Sequence, residues 1–528
     1  MSKPASDATC EVAIVGAGPA GLAAAALLRE HGVDVTVVDE QARAGGLYGS
    51  VQVALHAVSE RQDIDWRFQS TVLGIMRPSA YRVPRADAFS SHGEKHVAGS
   101  EQRRRGIGCV GSEQRRRGVG CVGSEQSGGG AHELWIQGPA GAYLLRARAV
   151  LLAPGCYDRP LAFPGWTLPG VMGAGAIQGL TTNGWVRPNA MDGDGEGFLQ
   201  SEPLVSGNRF LLAGSHPLQL VVADRLLSAG ARVAAVVFTQ RKQQAWLMMR
   251  HPLVAFRHRR QLLEISHILG RLRRAGVPVI FGHTVVRADG TEAVERATVA
   301  AIDTNGAIDS HKTAVVECDR IGICHGFLTS SELARQAGAE MHWKDHAGGW
   351  LACHDEWLES SIEDLFVAGE ITGVDGADAA LEKGRIAAVG ILRALGRVDD
   401  HRAHNLAASA RKRLSRLQRF SAILQELARP PAGLQLQTMS DDTIVCPCES
   451  IKRGELRRAL ADNKHTLSAD GVKSLTRVGM GLCQGRMCGD NVARVIAEAR
   501  GVQPNDVGPF QAQAPVKPVP LAAFMSRP

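Results

Sequence analysis

Residues 12–39 read VAIVGAGPAGLAAAALLREHGVDVTVVD. Val12–Val15 is a short, wholly apolar run, the pattern of a parallel strand buried on both faces. It feeds into Gly16-Ala17-Gly18-Pro19-Ala20-Gly21. An Ala/Leu-rich stretch continues as a helix to about His31, and Gly32 stops it. Val35–Val38 is a second buried strand, and Asp39 ends it. Strand, turn, helix, strand and terminal acid occur in order. That context makes the glycine pattern a dinucleotide-binding βαβ unit. Gly16 permits the tight turn, and Gly18 leaves room for a pyrophosphate against the backbone. Gly21 lets the helix lie close on the strand. Ala17, Pro19 and Ala20 complete the turn, and the helix start offers free N–H groups and a positive dipole end to phosphates. The Asp39 carboxylate is placed for ribose hydroxyls.

Chain length and composition bound the rest. The 528 residues suffice for two to four domains, and 45% apolar residues suffice for real cores. The net charge of +7 is modest and concentrated in local clusters, so no nucleic-acid role is expected. No apolar run reaches the ~20 residues of a membrane span. The N-terminal MSKPASDATCEV lacks the apolar core of a signal peptide. Four of the eleven cysteines gather near the C-terminus, which suits a reducing cytoplasm and one metal site rather than a disulfide scaffold. Peripheral placement at the inner membrane through partners stays compatible with this.

Glu40-Gln41-Ala42-Arg43-Ala44-Gly45-Gly46-Leu47 follows the acidic strand end. A Gly-Gly turn here resembles FAD enzymes of the glutathione-reductase type. The resemblance puts Glu40, Gly46 and Leu47 beside the cofactor. No cysteine lies between Cys10 and Cys109, so the redox disulfide of the disulfide reductases is absent. The run Ala149–Gly155 resembles the second FAD element of that group, with Pro154 where threonine is usual; Ala153 and Gly155 are its cofactor residues. Leu365-Phe366-Val367-Ala368-Gly369-Glu370, continuing to Ala377, resembles the third. Gly369, Glu370 and Ala377 are carried over from it, with Glu370 in place of the aspartate that usually bonds a ribitol hydroxyl. A helix is expected from about Ala379.

A second βαβ pattern spans Arg209–Ala213, a turn Gly214–Gln219, a helix Leu220–Ala229 and a strand Val233–Val237. In glutathione-reductase relatives this unit binds NAD(P)H. Here His216 and Gln219 stand where glycines should be, and the second strand ends Phe238-Thr239-Gln240 without an acid. The fold is expected to persist while NAD(P) binding is lost. Val277–Phe281 and Thr298–Asp303 are expected as strands returning to the first domain. Arg-rich helices over 241–275 are read as amphipathic, with a solvated basic face or a face for an acidic partner.

Residues 99–126 repeat GSEQRRRG(I/V)GCV, a period too short for a solenoid. They are read as a duplication within a largely disordered insertion at 85–131, and 186–207 as a second loop insertion. The Arg triplets are read as solvated, with Cys109 and Cys121 as spectators.

Near the C-terminus stand Cys446-Pro447-Cys448, a helical spacer, then Cys483-x₄-Cys488. Four thiolates in two close pairs suit an iron–sulfur cluster or zinc. The four cysteines with their flanks resemble the bacterioferritin-associated-ferredoxin-like [2Fe-2S] domain. Arg159 and the run Phe163–Gly170 resemble the α-type subunits of FAD-dependent amino- and imino-acid dehydrogenase complexes, such as those of hydrogen cyanide synthase, opine oxidase and D-hydroxyproline dehydrogenase, which carry that domain at their C-termini. The resemblance implies an α/β fold: two dinucleotide-binding (Rossmann-like) domains of the glutathione-reductase type plus a small C-terminal α-rich iron–sulfur domain. It also implies FAD and a [2Fe-2S] cluster held by Cys446, Cys448, Cys483 and Cys488. It implies a β-type FAD-dependent dehydrogenase partner, a respiratory acceptor and a small third, ferredoxin-like subunit.

On this reading 8–180 and 326–400 form the FAD domain and 208–325 the degenerate NAD-type domain. Residues 401–440 are a helical linker, 441–502 the cluster domain and 503–528 an extended tail. Two other functions remain open from sequence: a self-contained NAD(P)H:acceptor oxidoreductase, and a scaffold holding only an adenine nucleotide.

Overall fold

A computed structural model describes residues 7–46, 57–76, 131–182, 205–241 and 258–521. Leu47, the 99–126 repeat, its arginines and cysteines, and most of the 186–207 segment lie outside the described residues.

The opening stretch forms the strand Ala8–Val15, the helix Pro19–Glu30 and the strand Val35–Val38, with Gly32 at φ +72° beyond the helix end. The strand Ala8–Val15 is central to a seven-stranded sheet. It pairs parallel with Val35–Val38 on one side and with Gly141–Leu152 on the other. Leu365–Val367 joins the far edge of Gly141–Leu152, also parallel. Val15, Leu152 and Val367 stand in register. Three segments far apart in sequence therefore leave the sheet at one level, at the strands' carboxyl ends where α/β sheets bind ligands. The helix Ala377–Ala394 crosses Pro19–Glu30 so closely that a Cβ on Gly384 would lie 2.1 Å from the Ala20 carbonyl oxygen.

The second domain has a five-stranded parallel sheet built on Arg209–Gly214, Arg232–Phe238, Val279–Phe281, Arg320–Cys324 and Val171–Gly173. Two expectations are corrected here. Val279–Phe281 is an edge of this sheet, and Arg296–Ile302 is the middle of an antiparallel meander with His283–Asp289 and Ile308–Glu317. Neither returns to the first domain. Short connections make a local antiparallel partner the accessible one. Val171–Gly173 also shows that the chain enters the second sheet before residue 180. The Arg-rich segment yields one described helix, Arg259–Arg274. Its Ile268 and Leu272 are buried, and Arg271 pairs with Asp224 at 2.5 Å.

A 28-residue helix, Asp400–Leu427, is capped by Asp399, whose carboxylate accepts the Arg402 N–H. Ala403, Ala407 and Ala410 lay its apolar stripe on the first domain's core. Beyond it a hairpin of Ile444–Cys446 with Ile451–Lys452 and three helices (Arg453–Asp462, Ala469–Thr476, Gly489–Arg500) make the small C-terminal domain. Its core is continuous with that of the second domain through Leu161, Phe163 and Trp166. Trp166 Nε1 donates to the Ile444 carbonyl (2.6 Å), and Thr438 Oγ1 to that of Ala162 (2.9 Å). Gly165, at φ +84°, lets the loop lie against Ala288, whose carbonyl oxygen a Cβ would meet at 2.0 Å. The Phe163–Gly170 run is thus the seat on which the C-terminal domain rests.

The tail returns to the first domain. The Val516 N–H donates to the Leu73 carbonyl, and Lys517 pairs with Glu40.

Candidate functional site

Two sites stand apart in the fold. The first lies where the register of Val15, Leu152 and Val367 ends. Gly16 is at φ +106°, and a Cβ on it would sit 2.2 Å from the Ala153 carbonyl oxygen. A Cβ on Gly21 would sit 1.9 Å from the carbonyl oxygen of Gly16. These two glycines are required by the protein's own packing. Gly18 differs: a side chain there would meet nothing within 4 Å, and the nearest wall is Gly46, whose Cβ position is 3.9 Å from the Gly18 Cα. Gly155 also faces open space. Gly18, at φ −76°, is the N-cap of Pro19–Glu30; no side chain caps that helix and no acid sits in its first turn. Its first N–H groups are left for an anion. The opening fits a pyrophosphate.

Asp39 ties this loop together. One carboxylate oxygen accepts the Ala17 N–H at 2.5 Å, the other the Gln41 N–H at 2.7 Å. Burial holds its carboxyl above the usual range against these donors. Glu40, next to it, is engaged by Lys517 of the tail.

Gly369 and Ala20 are in contact across the two helix starts, a Cβ on Gly369 lying 3.1 Å from that of Ala20. Glu370 is buried and turned onto its own loop, where it accepts the Asp375 N–H at 3.0 Å. Burial pushes it up to about 7, against the opposing charge of Lys383. Lys383, buried in the helix Ala377–Ala394, pairs with Asp375 at 2.8 Å and donates to the carbonyls of Gly373 (2.9 Å) and Gly369 (3.3 Å). Ala377 is the first residue of that helix, after Gly376 at φ +92°. Gly16, Ala17, Gly18, Pro19, Ala20, Gly21, Asp39, Glu40, Gly46, Ala153, Gly155, Gly369, Glu370 and Ala377 all lie at this end of the sheet. Sequence reasoning misses Lys383, although a lysine inside an Ala/Ile/Val-rich helix is a usable signal.

In the second site, Cys446 ends its strand and is buried, and Cys448 is exposed two residues on. Cys483 lies in a loop, and Cys488 is buried as the N-cap of Gly489–Arg500. The Cys488 thiol neighbours those of Cys446 and Cys483, and Cys483 neighbours Cys448. Donation from Cys488 lowers Cys446 to about 6 and also lowers Cys483, while Cys488 itself is raised. Backbone N–H groups reach the sulfurs as well: Gly479 and Glu449 to Cys446, and Met487 and Gly485 to Cys483. The turns that aim them use left-handed residues, among them Arg477, Gly479, Gln484 and Gly485. The Phe510 ring of the tail lies over Gly479 and Gly485, where a Cβ would meet it at 2.7 and 2.4 Å. The thiols form a connected chain; among the described residues no three His, Cys, Asp or Glu side chains yet converge in metal-ligand geometry. Four thiols with N–H donors are the donor set of an iron–sulfur cluster.

A charge network that sequence reasoning misses ties the helix begun by Cys488 to Arg159 and Asp345. Arg159, 4% exposed, pairs with Asp345 at 3.1 Å and stands 3.7 Å from Asp490. Arg494 pairs with the same two acids at 2.6 and 3.2 Å. Asp490 and Arg494 lie on the helix that Cys488 begins.

In the second domain His216 fills the turn. Its Nδ1 accepts the Leu218 N–H at 3.2 Å, at the start of the helix Leu218–Ser228. Gln219 is fully buried.

Comparison with known proteins agrees with this geometry. Residues 10–384 match the family model described as pyridine nucleotide-disulphide oxidoreductase, and 444–498 that of the BFD-like [2Fe-2S] binding domain. The chain is 31% identical to the HcnB subunit of hydrogen cyanide synthase from Pseudomonas aeruginosa, over 97% of this chain and 98% of that one. It is 29% identical to the A subunit of opine oxidase from Rhizobium meliloti, over 96% of each. The crystal structure of L-proline dehydrogenase from P. horikoshii superposes with a TM-score of 0.62, covering 99% of this chain and 81% of that chain at 18% identity, a likeness of fold. With the opening beside Gly18 at one end and four linked thiols at the other, the chain belongs to the pyridine nucleotide-disulphide oxidoreductase family, as an FAD- and [2Fe-2S]-dependent member grouped with HcnB and the opine oxidase A subunits.

Proposed function

We propose that this chain is the electron-transferring subunit of a multi-subunit dehydrogenase for an amino or imino acid: glycine, proline, hydroxyproline or an opine. A partner flavoprotein of the β type oxidises the C–N bond, and the electrons leave this chain for a respiratory acceptor. FAD and a [2Fe-2S] cluster, when bound, supply the conversion between two-electron and one-electron transfer.

The chain's own residues position these groups. The start of Pro19–Glu30 receives the pyrophosphate, Gly18 and Gly46 leave room for it, and Asp39 holds the loop and meets the ribose. Gly155, Gly369 and the start of Ala377–Ala394 border the flavin side, where Glu370 and Lys383 fix the loop. Cys446, Cys448, Cys483 and Cys488 hold the cluster, and N–H···S bonds from Gly479, Glu449, Gly485 and Met487 tune its potential. The Arg159–Asp345–Arg494–Asp490 network anchors the helix that Cys488 begins.

The observation that carries this reading over a pyridine-nucleotide reductase is the plugged turn of the second domain. The Leu218 N–H, which would face a pyrophosphate, is consumed by His216. The reduced, loaded chain is expected to be re-oxidised by a soluble quinone and not by NAD⁺. Re-oxidation by NAD⁺ alone overturns the proposal. A colourless chain without bound flavin would instead favour the scaffold.

Cys488 joins the other thiols. Cys488→Ser is expected to lower iron and acid-labile sulfide per chain at least tenfold while flavin content is unchanged. Full cluster content in that variant removes Cys488 from the ligand set.

A further inference from the structure

The second domain's sheet reverses its strand order between Arg209–Gly214 and Arg320–Cys324. Ligands of open parallel sheets bind in the crevice outside the strands' carboxyl ends at such a switch point. His216 follows the first of these strands and His325 the second. His216 closes the crevice to a dinucleotide, but not completely. A cavity of about 40 Å³ remains, lined by Arg159, His216, His325, Asp345, His346 and Arg429 among others. A water needs ~10–15 Å³ by this kind of measure, so the space holds about three waters or a ligand of similar size.

Three buried nitrogens of this lining have no partner, although the Arg159 guanidinium also donates to the Asp345 carbonyl at 2.6 Å. His325 is 3% exposed, and neither ring nitrogen has a hydrogen-bond partner. Arg159 is equally buried, and its Nε has no acceptor; the nearest carboxylate oxygen is that of Asp490 at 3.7 Å. His216 uses Nδ1 as an acceptor, which leaves its proton on Nε2 as a donor. Burial pushes both imidazoles down to about 4, so they are neutral donors at pH 7. At the mouth, His346 and Arg429 are exposed. Arg159 is shared by Asp345 and Asp490, and Arg429 pairs at the surface with Glu426 at 3.8 Å, so the pull on an anion comes from the unpaired buried donors and not from an excess of charge. A buried donor without an acceptor costs about 1–3 kcal/mol, and two have gathered here, Arg159 Nε–H and the His325 N–H. A cation does not answer them: among the described residues no three ligand side chains converge on a metal position. A compact anion does.

We propose that this remnant of the nucleotide crevice is a binding site for a small carboxylate of about three to five non-hydrogen atoms, held by Arg159 and His325 and admitted between His346 and Arg429. The ligand sits against the network that joins the first domain to the cluster domain, since Arg159 and Asp345 belong to both. It also touches Val374, whose carbonyl accepts from Gln425 at 2.6 Å. Occupancy is therefore coupled to the relative seating of the flavin loop and the cluster helix.

The test is isothermal calorimetry on the full chain, loaded with its cofactors, at pH 7. The probes are acetate and formate, with chloride compensating ionic strength. One saturable site per chain is expected for the carboxylates and none for chloride. His325→Phe is expected to weaken acetate at least tenfold, and His325→Gln, which keeps a donor and an acceptor, by less than threefold. Arg429→Ala, at the exposed mouth, is expected to weaken it severalfold without affecting folding, so the proposal survives a misfolded His325 variant. No saturable heat with either carboxylate means the cavity holds water only and overturns the proposal, as does unchanged affinity in both folded His325→Phe and Arg429→Ala. The readout is binding, so it stands or falls separately from the electron-transfer role.

Discussion

Gly18→Val is expected to leave the chain folded and to strip it of flavin. At φ −76° the backbone accepts a side chain, and the added Cβ meets no protein atom within 4 Å. It fills only the opening at the start of Pro19–Glu30. Flavin per purified chain should fall at least tenfold, equivalent to about 1.4 kcal/mol or more of lost binding. Circular dichroism and the cluster's iron content should match the parent. Gly16→Ala is the contrasting variant. Its backbone is left-handed, and its Cβ would lie 2.2 Å from a carbonyl oxygen. Strain and overpacking together cost ~2–4 kcal/mol, so that variant should lose stability along with flavin. A Gly18→Val chain that retains full flavin places the pyrophosphate elsewhere.

Arg159→Met is expected to loosen the C-terminal domain. The substitution keeps most of the side chain's bulk and removes its charge. Asp490, whose side chain is 2% exposed, then keeps one cation, Arg494, which it shares with Asp345, and a long hydrogen bond from Gln435. Breaking a buried pair outright costs ~3–5 kcal/mol; Asp490 keeps Arg494 and the Gln435 amide, so the loss here is a fraction of that. Limited proteolysis should cut the linker near Arg429–Pro431 much faster and release the fragment that carries the cysteines. Arg457→Met removes an ion pair with Asp441 that is more than half exposed on both sides. Such pairs contribute ~0–1 kcal/mol, and no change is expected there. Equal cleavage of the two variants would show that the domain is held by its apolar seat at Phe163 and Trp166 alone.

These two residues also mark how much is legible in the sequence. Gly18 is legible because turn, helix and strand lie within thirty residues and their roles follow from local chain geometry. The third element at Gly369 and the cysteine spacing are legible for the same reason, since each is a contiguous pattern. Arg159 stands out only by resemblance. Its partners Asp345, Asp490 and Arg494 come from three remote segments, and an acid in a sequence carries no sign of the base it will meet. Glu370 reads from sequence as a ribitol ligand; the structure adds that one of its carboxylate oxygens accepts from its own loop. Lys383, which fixes that loop, is visible only as an anomaly in an apolar helix. The strands Val279–Phe281 and Arg296–Ile302 are legible as strands but not in their true sheets, because an apolar run specifies burial and not the identity of its neighbour. His216 reads as damage to a nucleotide turn. The structure adds that its imidazole takes up the helix N–H the nucleotide would have used.

The proposed function has electrons enter this chain from a partner flavoprotein and not from a pyridine nucleotide. The most direct measurement is an anaerobic visible spectrum of the purified chain before and after addition of NADH. Flavin bands overlying [2Fe-2S] absorption are expected, unchanged by NADH and bleached by dithionite. Rapid bleaching by NADH would contradict it and make the second domain a working nucleotide site despite His216.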